Sequence, residues 1–247
     1  MKFTILTVCY NSAKTIESTI QSVLSQTYHN IEYIIIDGES KDETIEIIKK
    51  YEKKITKWVS EPDKGLYDAM NKGIALATGD VIGLINSDDL FCDKNALEKV
   101  IQVFDSNPNL DSVYADLYYV SQSNIDKIIR KWTTGKQRKF NSGWHPAHPT
   151  FYVKREVYEK YGYFDLKFNL AADFEIMLRF LDKYNISTKY VKDFFVKMRL
   201  GGETNKSFKN IYKQNLECID AFKKNDLPVN SLLYPFRRII PKFFQYK

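Results

Sequence analysis

The feature that most constrains the fold is an alternation of apolar runs and amphipathic segments over the first 120 residues. The apolar runs are short, continuous and rich in β-branched residues, which is typical of buried strands, whereas the segments between them repeat apolar residues at helical spacing. Strands are predicted in this way at 3–9, 31–37, 58–59, 81–85 and 112–120. The pattern predicts an α/β protein with a mostly parallel central sheet joined by crossover helices.

The alternation stops after about residue 120. A strand is predicted at 128–132 within polar loop sequence, and helix-like patterns return at 155–161, 171–184 and 208–224. No linker-like composition and no internal repeat divides the chain. We therefore expect one domain with an elaborated second half.

Composition excludes several classes of protein. With 247 residues, of which 44% are hydrophobic and 15% aromatic, the chain can bury a sizeable core and is too apolar for a disordered protein. Cys9, Cys92 and Cys218 have neither C-x-x-C spacing nor a histidine at ligand spacing, which disfavours a disulfide framework or a structural zinc site. The first apolar run ends in Tyr10-Asn11 and is expected to be a strand, not a signal peptide. These features favour a cytoplasmic protein.

Polar side chains cluster where the predicted strands end, in the segments 7–12, 37–42, 60–65 and 86–89. Ligands of open α/β sheets bind beyond the carboxyl ends of the strands, and carboxylates beside helix N-termini suit a nucleotide held with a divalent cation. Each segment taken alone also has a plainer interpretation: Asp37-Gly38 as a turn, Ser40 as a helix cap, and Asp88-Asp89 as the cap of the next helix.

Five segments in order resemble the motif series of the family 2 inverting glycosyltransferases, which have the GT-A fold. They are TVCYN, DGESKDET, SEPDKGLYDAMNKGIALATGD, LINSDD and AADFEIMLRF, and they extend over residues 2 to 200. The resemblance implies an α/β nucleotide-diphospho-sugar transferase fold over 1–205, with a nucleotide-binding part at about 1–120 and an acceptor and catalytic part at about 121–205. Residues 206–247 are then expected to form a C-terminal helical extension packed on the same domain.

The resemblance also assigns residues to the donor site. It implies that Thr7, Tyr10, Asn11 and Asp37 line a pocket for the nucleoside, usually uridine, with Asp63 and Lys64 nearby. It places the metal-binding D-x-D motif on Asn86-Ser87-Asp88, where Asn86 replaces the first aspartate. We therefore expect Asp88 to be the principal ligand of Mn²⁺ or Mg²⁺, and Asn86 and Ser87 to face the donor.

Catalysis needs a group that removes the proton of the acceptor hydroxyl. The family's E-D motif aligns with Ala172-Asp173, so the resemblance implies that Asp173 is this base although Ala172 replaces the usual acid. An acid favoured by the dipole at a helix N-terminus is the alternative. Asp89, His145 and His148 are expected near the acceptor or the pyrophosphate, with packing or surface histidines, or joint metal chelation, as alternatives.

Two basic segments complete the prediction. Arg199 and the segment GGETN at 201–205 resemble a loop that closes over the donor, with Arg199 or Lys206 meeting phosphate; a simple turn is the alternative. The tail at 231–247 contains basic and aromatic residues without an acid, within a chain of net charge +6. It is expected either to pack on the domain or to anchor the protein peripherally to anionic lipid on the inner face of the cell membrane.

The resemblance thus implies a metal-dependent, inverting hexosyltransferase. The expected reaction moves a hexose or N-acetylhexosamine from a UDP-sugar to a saccharide acceptor in the biosynthesis of a surface polysaccharide such as capsule, O-antigen or exopolysaccharide. By analogy with short family members, the acceptor is expected to be lipid-linked. A non-catalytic nucleotide- or saccharide-binding relative is the main alternative. A sugar nucleotidyltransferase would need a Gly-rich phosphate loop, and a dinucleotide-dependent oxidoreductase would need G-x-G-x-x-G after the first strand. Acids at the strand ends disfavour a nucleic-acid partner.

Overall fold

A computed structural model describes residues 1–201 and 208–243. The strands are β1 Phe3–Cys9, β2 Ile31–Asp37, β3 Lys57–Ser60, β4 Val81–Leu84, β5 Leu90–Phe91, β6 Ser112–Val120, β7 Ile128–Trp132, β8 Tyr152–Lys154 and β9 Thr188–Arg199. The α-helices are α1 Ile16–Leu24, α2 Thr44–Lys50, α3 Leu66–Leu76, α4 Ala96–Asp105, α5 Arg155–Tyr161, α6 Ala172–Leu178, α7 Phe208–Lys224 and α8 Tyr234–Phe243. Each strand and helix expected from the sequence pattern has a counterpart in the structure, with the differences given below.

The strands form one mixed sheet in the order β3-β2-β1-β4-β8-β6-β9-β5, and β7 pairs with β6. The first four strands are mutually parallel, with β1 between β2 and β4. β8 is antiparallel to both β4 and β6, and β9 returns parallel to β6. The carboxyl ends of β1 to β4 therefore meet at one edge, as the strand pattern predicts.

Apolar residues cover both faces of the sheet because successive side chains of a strand point to opposite sides. Ile5 and Ile35 pack with α1, α2 and α4, whereas Leu6 and Ile34 pack with α3, α5, α6, α7 and α8. The helices α6, α7 and α8 therefore lie on the same face of the sheet as α3. This packing joins the second half of the chain to the strand ends of the first half.

The structure corrects three local expectations. Ser40 is not a helix cap, because α2 begins four residues later and the Ser40 hydroxyl donates to Asp37. The helix expected at 171–184 is α6 followed by one π-helical turn at Arg179–Lys183. The strands β5 and β9 were not expected, and β9 supplies Arg199 as its last residue. Among the described residues, no helix is both long enough and apolar enough to span a membrane.

Candidate active site

Hydrogen bonds join the loops that follow β1, β2, β3 and β4. The Asn11 amide donates to Ser40 Oγ at 2.7 Å, and the Ser12 and Ser87 hydroxyls lie 2.8 Å apart. The Ser60 hydroxyl donates to Asp37 at 2.7 Å. The predicted convergence of polar strand ends is therefore present, and the loops hold one another at the edge of the sheet.

Two residues expected to line the nucleoside pocket are instead buried and bonded within the protein. Asp37 is 0% exposed, and its carboxylate accepts from the Ser40 amide at 2.9 Å and from the Ser40 and Ser60 hydroxyls. Thr7 is also 0% exposed, with its hydroxyl 3.2 Å from the Tyr33 hydroxyl. Both belong to central strands, so their side chains reach the core and position the loops that follow.

Other expected donor residues lie at the open edge. Tyr10 is 61% exposed just after β1, and Asn11 has a left-handed backbone (φ 48°) with its Oδ1 accepting from the Lys41 amide at 2.8 Å. Gly38 separates Tyr10 from Asp63: a Cβ built on Gly38 would meet Asp63 Oδ2 at 2.4 Å and Tyr10 Cδ2 at 3.4 Å. Only glycine permits these two side chains to approach the loop after β2 so closely.

Lys64 is exposed beside Asp63, directly before α3. The Asp63 carboxylate accepts from the Gly65 amide at 2.7 Å, and the Lys64 amide donates to Asp68 at 3.0 Å. The Lys64 side chain is thus presented from a loop that its neighbours fix. An aromatic ring, an amide, a carboxylate and an ammonium group are available to a ligand along this edge.

The segment after β4 contains one partly exposed and one buried aspartate. Asp89 was expected near the acceptor or the pyrophosphate; here it is 0% exposed and accepts from the Arg199 amide at 3.3 Å and from Asn86 Nδ2 at 3.4 Å, so its carboxylate is bonded within the fold. Burial, and then the charge of Asp88, raises the pKa of Asp89 well above its ordinary value. Asp88 is half-buried, and burial raises its pKa against the opposing charges of Arg199 and His148.

Arg199 is a fixed strand residue and not part of a closing loop. It is 7% exposed, and its guanidinium donates to the Asp88 carbonyl oxygen and to Ser18 Oγ at 3.2 Å. This packing orients the backbone of Asp88 and leaves the guanidinium inside the fold. Residues 202–206, which complete the loop expected to close over the donor, lie outside the described residues.

Asp173 is the second residue of α6, and its side chain is 20% exposed. Its Oδ1 accepts from the Tyr67 hydroxyl at 3.2 Å, and its Oδ2 lies 3.2 Å from His148 Nδ1. Burial lowers the pKa of His148, while the charges of Asp173 and Asp88 both act to raise it. The fold therefore brings Asp88, His148 and Asp173 together from three distant parts of the sequence.

His145 belongs to an aromatic wall beside this group. Its ring lies edge-on between Trp132, at 5.1 Å, and Phe174, at 5.7 Å between ring centres. Its Nδ1 is 3.0 Å from the Pro146 carbonyl oxygen. These contacts fit the packing alternative for His145, whereas His148 contacts the carboxylate of Asp173.

Sequence reasoning missed two residues near Asp173. Tyr67 lies in the motif SEPDKGLYDAMNKGIALATGD, but the sequence did not indicate that a residue on the first turn of α3 contacts α6. Arg238 was grouped with the basic tail, yet it is 6% exposed, donates to Gln214 Oε1 at 2.8 Å and lies 5.8 Å from the Phe174 ring centre. Its spacing of four residues from the buried Tyr234 was the signal that this helix face points inward.

The oxygen donors suit a cation that is shared with a bound diphosphate. Within residues 1–201 and 208–243, no three His, Cys, Asp or Glu side chains group together as a metal site. Hard divalent cations such as Mg²⁺ need only one or two protein carboxylates when phosphate and water supply the other ligands. The half-buried Asp88 carboxylate at the end of β4 meets that requirement, and a cation beside it would offset the cost of burying its charge.

The parallel strands, the bonded loops at their carboxyl ends and the helix that carries Asp173 define a GT-A-type fold. The chain belongs to glycosyl transferase family 2, whose family model matches residues 4–162. An uncharacterised glycosyltransferase of Mycobacterium tuberculosis is 30% identical over 183 residues, which are 71% of this chain and 67% of that protein. A PGL/p-HBAD biosynthesis glycosyltransferase of Mycobacterium bovis is 24% identical over 199 residues, 76% of this chain and 73% of that protein.

Solved structures support the same fold. S. aureus TarS 1–349 in complex with UDP-GlcNAc has a TM-score of 0.67 at 16% identity, over 92% of this chain and 68% of that one. The mannosyltransferase PcManGT from Pyrobaculum calidifontis, in complex with GDP-Man and Mn²⁺, has a TM-score of 0.66 at 17% identity, over 96% of this chain and 68% of that one. The family and the GT-A fold expected from the motif series are confirmed.

Proposed function

We propose that this chain is an inverting glycosyltransferase that moves a hexose or N-acetylhexosamine from a UDP-sugar to a saccharide acceptor with the help of Mn²⁺ or Mg²⁺. The observation that carries the proposal is the grouping of Asp88, His148 and Asp173. It places a carboxylate suited to a cation near His148, which contacts a second carboxylate that is partly open and also accepts from Tyr67.

Asp173 is the proposed general base. Its carboxylate takes the proton of the acceptor hydroxyl while the hydroxyl oxygen forms a bond to the anomeric carbon of the donor. The bond from that carbon to the nucleoside diphosphate breaks, and the electron pair leaves with the diphosphate. A single displacement of this kind inverts the anomeric configuration, and Asp173 holds the proton until it passes to water.

The donor is proposed to lie along the open edge of the sheet. Tyr10 offers an exposed ring for the base, Asn11 and Asp63 offer polar groups for the nucleoside, and Lys64 offers a cation for the diphosphate. Asp88 would hold the divalent cation, which when bound stabilises negative charge on the departing diphosphate. UDP as the nucleotide rests on the motif resemblance and agrees with the UDP-GlcNAc complex of TarS.

The acceptor is proposed to be a saccharide linked to lipid, in surface-polysaccharide or glycolipid assembly. A similar protein named for PGL/p-HBAD biosynthesis supports this class of acceptor. The outer face of α8 and the residues before it support peripheral contact with an anionic membrane: Leu232 is 83% exposed, Phe236 64% and Ile240 53%, with Arg237 exposed among them. Apolar side chains beside a basic one are typical of helices that lie in a lipid interface.

Calorimetric titration of UDP and of GDP, first with Mn²⁺ and then with EDTA, tests the donor site. We expect UDP to bind more tightly than GDP, and its binding to weaken at least about tenfold in EDTA and in Asp88→Asn. The matched control is Asp193→Asn, because Asp193 lies on β9 outside the site, where it pairs with Lys99 of α4. A UDP affinity that changes neither in EDTA nor in Asp88→Asn would contradict the metal assignment. Binding of neither UDP nor GDP would favour a non-catalytic, saccharide-binding relative.

A further inference from the structure

The carboxylate of Asp173 is held from two sides by residues of different origin. His148 comes from the loop before β8, whereas Tyr67 comes from α3 and donates its hydroxyl to Oδ1 at 3.2 Å. Tyr67 and Asp173 are 106 residues apart in sequence. This hydrogen bond thus connects the first half of the chain, which supplies the proposed donor edge, to the residue proposed as the base.

Tyr67 is fixed in place by its surroundings. Its ring stacks on Phe164 with ring centres 5.5 Å apart and an angle of 26°. It follows Gly65, whose φ of 108° starts α3 and whose amide donates to Asp63. The position of the Tyr67 hydroxyl therefore depends on the same short loop that presents Asp63 and Lys64.

The Tyr67 hydroxyl remains a donor throughout the working pH range. Burial, followed by the negative charge of Asp173, raises the pKa of Tyr67 well above 10. A neutral phenol that donates to a carboxylate stabilises its charged form and restricts its rotation. A phenol needed only for packing would use its ring and not its hydroxyl.

We propose that Tyr67 is a positioning residue for the reaction: its hydroxyl, with His148 on the other oxygen, fixes the orientation of the Asp173 carboxylate toward the acceptor hydroxyl and ties the base to the donor loop. The inference rests on the proposed role of Asp173 and adds a residue to it. The charged and titratable groups around the pair are His148, Arg238 on α8, whose pKa the charge of Asp173 helps to raise, and Glu217 on α7, which accepts from the Ala171 amide at 3.0 Å.

Tyr67→Phe removes only the hydroxyl and keeps the stacked ring. We expect kcat for sugar transfer to fall about tenfold to a hundredfold, with the KM for the donor and calorimetric UDP binding unchanged. Because the hydroxyl acts on the base and not on the donor, kcat and the kcat/KM for the acceptor fall together. A role in packing alone would lower the melting temperature and leave kcat unchanged.

Tyr51→Phe is the matched control, because the Tyr51 hydroxyl also donates to a carboxylate, that of Glu17 at 3.0 Å, away from the site. Phe164→Leu weakens the stack and keeps the hydroxyl, so we expect lower stability with kcat within about twofold of the unchanged protein. It keeps the inference testable if Tyr67→Phe folds poorly: a fall in kcat of about tenfold or more in Phe164→Leu would assign the effect to the ring and contradict the inference.

The outcomes for Tyr67 and for Asp173 are separable. Tyr67→Phe with a normal kcat, in an enzyme that Asp173→Asn inactivates, would overturn the inference and leave the proposed function intact. Transfer that persists in Asp173→Asn would overturn the proposed base itself.

Discussion

At the scale of single residues, this protein uses its acids in two different ways. Asp37 and Asp89 are fully buried and bonded to backbone and side-chain donors, whereas Asp88 and Asp173 are partly open. A buried carboxylate with several donors fixes a loop, while an open one can bind a cation or take a proton. The same residue type therefore supports the structure at Asp37 and Asp89, and is proposed to carry the chemistry at Asp88 and Asp173.

Glu32 on β2 shows how a structural acid makes stability depend on pH. Burial raises its pKa, but hydrogen bonds from Lys2, Thr4 and Thr78 outweigh this and hold the pKa at about 2, against 4.5 ordinarily. A lowered pKa stabilises the fold above the unfolded value, and this contribution is lost as pH falls toward the folded pKa. We expect Glu32→Gln to reduce the loss of unfolding free energy between about pH 5 and about pH 2.

Urea unfolding at several pH values measures this effect. Glu156→Gln is the control, because the Glu156 side chain is 69% exposed and pairs only loosely with Lys154 at 3.6 Å. An unchanged acid slope in Glu32→Gln, equal to that of the control, would contradict the role of Glu32.

At the scale of helices and strands, the two faces of α8 have different tasks. Tyr234 and Arg238 are buried against the layer that contains α6 and α7, whereas Phe236 and Ile240 are exposed. The packing expected for the tail is thus seen on one face of this helix, and lipid contact stays a proposal for the opposite face. The inner face is observed, and the outer face carries the membrane proposal.

Phe236→Ser tests the outer face. We expect it to weaken binding to anionic phospholipid vesicles about tenfold, because one phenyl group leaves the lipid interface, and to leave UDP binding and the melting temperature unchanged. Tyr212→Ser is the matched control, since Tyr212 on α7 is 67% exposed and Phe236 is 64% exposed. Sedimentation with vesicles that shows equal binding for both variants would contradict lipid contact by α8.

The regular strands and helices were predictable because periodicity depends on burial of one face. The buried β1, β2 and β6 are mostly apolar, and α4 repeats its apolar residues at helical spacing. β9 was not predictable, since most of its residues are only half-buried, lysines interrupt it and its pairing with β6 shifts register. The motif series located Asp88 and Asp173, but whether an aspartate faces the core or the cleft depends on contacts from distant residues, as Arg199 to Asp89 illustrates.

At the scale of the whole molecule, the proposed catalytic residues lie where the two halves of the chain meet. The first half supplies the donor edge, Asp88 and Tyr67, and the second supplies His148 and Asp173. We propose that residues 1–205 act as the transferase unit and that residues 206–247 extend it. The helices α7 and α8 support this division because they pack on the same face of the sheet as α6. In this arrangement the outer face of α8 lies on the half of the chain that is proposed to receive the acceptor.

The most direct test of the proposed reaction compares Asp173→Asn with the unchanged protein in sugar transfer and in calorimetric UDP binding with Mn²⁺. If Asp173 is the base, transfer falls by about a hundredfold or more while UDP binding stays within about twofold, because the amide keeps the shape of the side chain and cannot take the proton. Asp193→Asn retains both activities as the control. Transfer at the normal rate in Asp173→Asn, or loss of UDP binding together with transfer, would contradict a general base at this position.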